Sequence, residues 1–153
     1  LSAISALKRH FPGVKGRLVD LCRPSQNRYN LAVTVAGGKD MDSIVVDTKK
    51  TAFDAIKYMR DQRIGTATFL PLDGIQIPSP ESTERIRAMA EKDKRYRLAA
   101  DVIRVDDEYR RAVLYAVGNT VVCDSLDVAR EICFSRRGNA GTSVDDRIKA
   151  VSL

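Results

Sequence analysis

The sequence predicts an α/β fold, more narrowly an α+β arrangement with a mixed sheet, built as two pseudo-repeated helix–strand–helix subdomains. Three observations predict it. Ser43-Ile44-Val45-Val46-Asp47 is a β-branched run with no wet face, the mark of a strand covered on both sides in a parallel or mixed sheet. Ala52, Ala55, Ile56 and Met59 follow at i, i+3, i+4 and i+7, one face of a helix. The same order then returns, with Thr120-Val121-Val122-Cys123-Asp124 as a second strand and a helix carrying Ala129 and Cys133 after it. Asp47 precedes Ala52 by five positions and Ile56 by nine; Asp124 precedes Ala129 by five and Cys133 by nine. A register held through strand and helix is the signature of a duplicated unit.

Along the chain, Leu1, Ile4 and Leu7 mark a leading helix that the group His10-Phe11-Pro12-Gly13 breaks. Gly16 to Leu21 alternates in part and reads as a short strand; Pro24 to Asn27 is a turn cluster, and Arg28 to Ala36 is helical until Gly37-Gly38. Asp47 or Thr48 caps the following helix by accepting backbone N–H bonds. Beyond Gly65, Thr66 to Leu72 offers another strand, and Pro71, Pro78 and Pro80 interrupt regular structure. Glu81 to Arg97 alternates acids and bases around Ile86, Met89 and Ala90, which predicts a surface helix ending in Lys92, Lys94, Arg95 and Arg97, a connecting segment. The second copy has a helix over Tyr109 to Val117, then Gly118, the strand and the closing helix, with strand character again from Ile148 to Leu153. The copies differ in the loop before the strand, longer in the first (Gly38 to Asp42), where an insertion is cheapest. Both ends of the sequence read as interior to a longer chain.

The composition bounds the function. With 153 residues, 44% hydrophobic and 30% charged, the chain has room for one ordinary domain or two small subdomains and can bury a core. No apolar run approaches the roughly 20 residues of a membrane-spanning helix. Three widely spaced cysteines, Cys22, Cys123 and Cys133, fit reduced thiols rather than a disulfide framework. The net charge of +6 favours anionic partners without identifying them.

Catalytic constellations are thin. His10, the single histidine, sits at a helix end beside Phe11, and with the three cysteines it forms no zinc-ligand spacing. Gly37-Gly38-Lys39 follows a helix and precedes a strand, the reverse of phosphate-loop geometry. Gly138-Asn139-Ala140-Gly141, after Arg136-Arg137, offers amides and guanidinium groups to an anion, and otherwise reads as a surface loop. Asp47, Asp106, Asp107 and Asp124 stand where helix starts need acids. Tyr29, Tyr96 and Tyr109 adjoin basic residues, an arrangement that either stacks on nucleic-acid bases or packs the rings into the protein. No cofactor, metal, membrane or small-molecule substrate is expected.

Several segments, in order, are specific enough to resemble a known family: Gly16-Arg17-Leu18-Val19-Asp20-Leu21-Cys22, Arg28-Tyr29-Asn30-Leu31-Ala32-Val33, Ile44-Val45-Val46-Asp47, Thr68-Phe69-Leu70-Pro71-Leu72-Asp73 and Ala116-Val117-Gly118-Asn119-Thr120-Val121-Val122-Cys123-Asp124. Together they resemble the hinge domain of structural maintenance of chromosomes (SMC) proteins, nearest its type-one, cohesin branch, over Phe11 to Leu153. The resemblance implies the end of a coiled-coil arm at residues 1–12, a first hinge half at 13–77, a connecting segment at 78–98 and a second half at 99–153. The family's further C-terminal strand and glycine-rich turn are not in the sequence. It also implies a non-catalytic module that pairs half against opposite half with the hinge of the type-three cohesin SMC subunit, in the nucleus on chromosomes, closing a DNA-entrapping ring. Phe69, Leu70, Gly118, Asn119 and Val121 are the expected dimer interface. Arg28, Lys39, Arg110 and Arg111, at matching places of the two halves, are expected to line a positive channel that meets DNA weakly. The alternative is that nucleic-acid binding by the basic surface is the primary task.

Overall fold

A computed structural model describes residues 2–137 and 148–153; the Gly138 to Gly141 candidate lies outside the described residues. Helix α1 (Ser2–His10) leads into a first copy of the unit: β1 (Val14–Arg17), α2 (Leu18–Leu21), β2 (Cys22–Pro24), α3 (Asn30–Gly37), β3 (Ile44–Val46), α4 (Lys49–Gln62) and β4 (Phe69–Pro71). Helix α5 (Pro80–Lys92) crosses to the second copy: β5 (Tyr96–Leu98), a 3-10 turn at Ala99–Val102 in the place of α2, β6 (Ile103–Val105), α6 (Arg110–Val117), β7 (Val121–Cys123), α7 (Leu126–Arg137) and β8 (Ala150–Ser152). The first copy forms a sheet in the order β1-β3-β4 and the second a sheet in the order β5-β7-β8; in each, the first pair is antiparallel and the second parallel.

The duplication extends to single hydrogen bonds. Asp47 N–H donates to Gly13 O and Asp124 N–H to Arg95 O, both at 2.9 Å; Leu72 N–H donates to Val46 O and Leu153 N–H to Cys123 O, both again at 2.9 Å. Thr48 Oγ1 caps α4 by accepting Thr51 N–H (3.2 Å), and Ser125 Oγ accepts Val128 N–H (3.3 Å) at the start of α7. Gly38 and Gly118 close α3 and α6 in the same conformation, φ +56, ψ −141 and φ +54, ψ −137, a region that side chains avoid. The glycine equivalent to Gly118 is therefore Gly38, while Gly37 is the last residue of α3. The longer loop of the first copy is a 3-10 turn over Gly38–Asp42.

The repeating unit is larger than helix–strand–helix: a further strand pair precedes α3 and α6 in each copy. Helix α5 ends at Lys92 rather than continuing to Arg97. Beyond Asp93 the chain extends, and Tyr96 and Leu98 turn inward while Arg97 stays partly exposed, so period two replaces the helical period in three residues. Strands β2 and β6, one from each copy, pair antiparallel with Arg23 opposite Arg104 and join the halves about a local pseudo-two-fold.

The β-branched strands are covered on both faces, as their composition demands. Val45 and Val122 point into a central core shared by the halves, with Tyr29, Ala32, Val33, Leu70, Ala112, Val113 and Val117. Ile44 and Val46 face an outer core with Leu7, Ala52, Ala55 and Met59, and Val121 and Cys123 face its counterpart with Ile86, Ala129 and Ile132. Ile56, expected on the inner face of α4, is exposed, because the narrow α4 contact is filled by Ala52, Ala55 and Met59. His10 and Phe11 lie against Tyr58 of α4, with ring centroids 4.7 and 5.6 Å away, and this anchors α1 on the first half.

Candidate dimerisation edges

Among the described residues, the outer strands of each three-stranded sheet, β1 and β4 in the first and β5 and β8 in the second, have one unpaired side, and β4 and β8 are the outer strands that run parallel to the central one. In the first, Ile44 N–H donates to Thr68 O and Leu72 N–H to Val46 O, so residues 68, 70 and 72 turn their backbone toward β3 and residues 69 and 71 turn theirs outward. Pro71 has no N–H, and its carbonyl already accepts Gly74 N–H (2.9 Å) and Ile75 N–H (3.0 Å). Phe69 is thus the residue of β4 that presents both a donor and an acceptor on the open side. In the second sheet, Val121 N–H donates to Lys149 O and Leu153 N–H to Cys123 O, which leaves Ala150 and Ser152 facing outward on β8. An exposed row of backbone groups is a template for another strand.

The expected interface residues divide. Phe69 is half-buried against the first outer core. Leu70 and Val121 are buried inside the chain, at 3% and 0% exposure, so their side chains serve its core. Gly118 caps α6 with nothing within 4 Å of the space a Cβ would take. Asn119 is committed to α5: its Oδ1 accepts from Thr83 Oγ1 (2.7 Å) and its Nδ2 donates to Ser82 Oγ (3.0 Å). Ala150 and Ser152 were missed by sequence reasoning, although the repeat itself aligns Phe69-Leu70-Pro71-Leu72 with Ala150-Val151-Ser152-Leu153.

The four basic residues expected to line a channel do not occupy matching places. Helices α3 and α6 are each eight residues long, so Arg110 matches Asn30 and Arg111 matches Leu31; in the 3-10 turns before them, Arg28 matches Glu108. Lys39 lies in the extra loop of the first copy, exposed beside Asp42 and Thr66 to Thr68. Arg28 reaches Asp124 at 3.7 Å and lies over the Tyr29 ring at 4.9 Å, and Arg110 approaches Asp107 at 3.4 Å. Arg111 donates from Nε to Leu72 O (3.1 Å) and from Nη2 to Ile75 O (3.0 Å).

The aromatic rings are not platforms for bases. Tyr29 and Tyr96 are buried, at 2% and 4% exposure, and Tyr109 packs against the central core. Arg97 donates to the Tyr29 hydroxyl from β5, a hydrogen bond between the halves. Arg95 forks between Asp93 (2.7 and 2.9 Å) and Glu131 (2.8 and 3.1 Å); its hydrogen bonds hold Asp93 down at about 2 and lower Glu131. The cysteines are free thiols, and burial pushes Cys123 up to about 11. Among the described residues no group of three metal-ligating side chains converges.

A duplicated α/β unit with an open sheet edge in each half, and a surface of ordinary ion pairs, defines an assembly module. The family model of the SMC proteins' flexible hinge domain matches residues 11–133, and the chain belongs to that family. It is 47% identical over 87% of its length to structural maintenance of chromosomes protein 1 of Arabidopsis thaliana, and 46% identical over 92% to the protein of that name from Schizosaccharomyces pombe. The chain spans only about a tenth of those relatives, 10% and 11%. A crystal structure of an asymmetric dimer of the Geobacillus stearothermophilus SMC hinge domain superposes with a TM-score of 0.81 at 30% identity, over 97% of this chain and 55% of that one. The hinge domain is a dimerisation module.

Proposed function

We propose that this hinge pairs with the hinge of the type-three cohesin SMC subunit, half against opposite half, to close a ring that entraps chromosomal DNA for sister chromatid cohesion in the nucleus. The observation that carries the reading is the pair of open edges, Phe69 on β4 and Ala150 with Ser152 on β8, at equivalent ends of the two sheets. Main-chain pairing across such edges gives hydrogen bonds, and apolar neighbours such as the half-buried Phe69 ring exclude water. Residues 1–12 then end one coiled-coil arm, 13–77 and 99–153 are the halves, and 78–98 connects them, with β5 assigned by its sheet to the second half. Within the ring, Arg28, Lys39, Arg110 and Arg111 supply positive charge for a weak DNA contact, Lys39 being the most available of the four.

The test mixes the full chain with the type-three hinge and measures mass. A one-to-one complex that survives moderate salt, and that is lost in Ser152→Pro, which removes an outward amide without touching the β7 ladder, supports the reading. Absence of any such complex, together with DNA binding of steep salt slope, favours a basic nucleic-acid-binding module instead.

A further inference from the structure

The segment that leaves β4 is held from three directions. Leu72 N–H is bonded to Val46 O of β3, and Asp73 Oδ1 accepts the Lys49 N–H at the start of α4 (2.9 Å). The third contact comes from the other half of the molecule: Arg111 of α6 donates to the carbonyls of Leu72 and Ile75 at once. The turn is close-packed beneath these contacts. Ile75 is buried in the central core, and a Cβ on Gly74 would overlap Lys49 Cε.

The pseudo-symmetry makes the contact informative. The residue at the equivalent place on α3 is Leu31, which has no donor and is 71% exposed. Folding the duplicated unit therefore does not require an arginine there, and the second half reaches into the first at one position of the pair only. The carbonyl of Leu72 that it grips is three residues from Phe69, at the end of the strand whose open side is the candidate edge.

We propose that Arg111 is a positioning residue for dimerisation: its guanidinium fork fixes the exit of β4, so that the edge of the first half is presented at an angle set by the second half. The proposal rests on the reading of β4 as a partner-facing edge. A planar fork donates to two carbonyls in fixed directions, whereas an ammonium on a flexible stem offers rotatable donors with no preset direction and a thioether offers none. The charge of Arg111 is incidental to this role.

The experiment compares the full chain with Arg111→Met, Arg111→Lys and, on the edge itself, Phe69→Pro, reading affinity for the type-three hinge and hydrogen exchange of the amides of Leu72, Gly74 and Ile75. Arg111→Met is expected to weaken pairing about tenfold or more, the scale of losing hydrogen bonds from a charged donor, and to speed exchange in the 72–75 turn while the β3 and β7 amides stay protected. Arg111→Lys, which keeps the charge, restores pairing only in part; full restoration would show that charge alone acts and would overturn the proposal. Loss of protection throughout β3 and β7 in Arg111→Met would also overturn it, because Arg111 would then serve the whole fold. Pairing that survives Phe69→Pro refutes the β4 edge itself. Pairing abolished by Phe69→Pro but unchanged in Arg111→Met refutes the positioning role alone.

Discussion

Gly38 and Gly118 give the most direct test of the duplication. Each ends its helix by donating its N–H to the carbonyl four residues back, Thr34 and Leu114, in backbone conformations that agree within a few degrees. At neither position does any atom lie within 4 Å of the place a methyl would take. Replacement by alanine therefore costs nothing in contacts and costs only the backbone conformation, about 1–3 kcal/mol for a side chain forced into a sparsely populated region. For a domain of this size that is a fall in Tm of roughly 2–12 °C, at about 2–4 °C per kcal/mol. Gly38→Ala and Gly118→Ala are expected to lose equal stability in urea unfolding, and the double variant to lose the sum, since the sites lie in different copies. Gly37→Ala acts by another route: its φ of −75 is ordinary, but the new methyl would overlap Met41 Sδ. If Gly118→Ala proves neutral while Gly38→Ala is costly, the two caps are not equivalent and the residue-by-residue match of the halves is wrong.

Two further outcomes follow from burial and charge. Leu70→Ala opens a cavity in the central core and is expected to cost about 2–5 kcal/mol, whereas Phe53→Ala, at a ring 72% exposed on α4, stays within about 0.5 kcal/mol in the same unfolding assay. Asp93 is held at about 2 by Arg95, so its pairing stabilises the fold above the ordinary carboxylate range and that contribution is lost as pH falls from about 4 toward 2. An NMR titration checks this: Arg95→Gln should raise the Asp93 midpoint part of the way toward the usual carboxylate range, the backbone N–H of residue 95 still donating to Asp93 Oδ1, and raise that of Glu131.

What the sequence made legible was what single residues announce through burial. Ile44-Val45-Val46 and Val121-Val122-Cys123 could only be strands with two dry faces, and the five- and nine-residue spacings after Asp47 and Asp124 carried the register into α4 and α7. Strand β1 reads late in the sequence, as Gly16 to Leu21, because Leu18–Leu21 is a helical turn whose apolar residues resemble an alternating strand, and β2, β5 and β6 escape notice because three residues give too short a period. Tyr96-Arg97-Leu98 is separated by three residues from a charged helix whose pattern it continues by chance, and β2 and β6 put arginine at their centres. The basic residues misled for a related reason. A guanidinium shows its charge in the sequence, but the acceptors of Arg111 are backbone carbonyls of Leu72 and Ile75, which have no sequence signature at a separation of nearly forty residues. Likewise Tyr29 reads as an aromatic among bases, and only the fold reveals that it fills the seam between the halves with its hydroxyl turned to Arg97.

The differences between the two copies bear on how a ring closes. A monomer with an open edge at each end makes a two-membered ring either by joining like edges or by joining β4 of each chain to β8 of the other. A sister chain with the same β4 would bring Pro71 against a strand with the same missing amide, so a β4–β4 junction relies on the Phe69 amide and carbonyl alone. Strand β8 offers Ala150 and Ser152, each with donor and acceptor, and so supplies partners that β4 lacks. On the proposed reading, unlike edges meet, and the fixed exit of β4 at Arg111 matters because an edge with one donor tolerates little angular error.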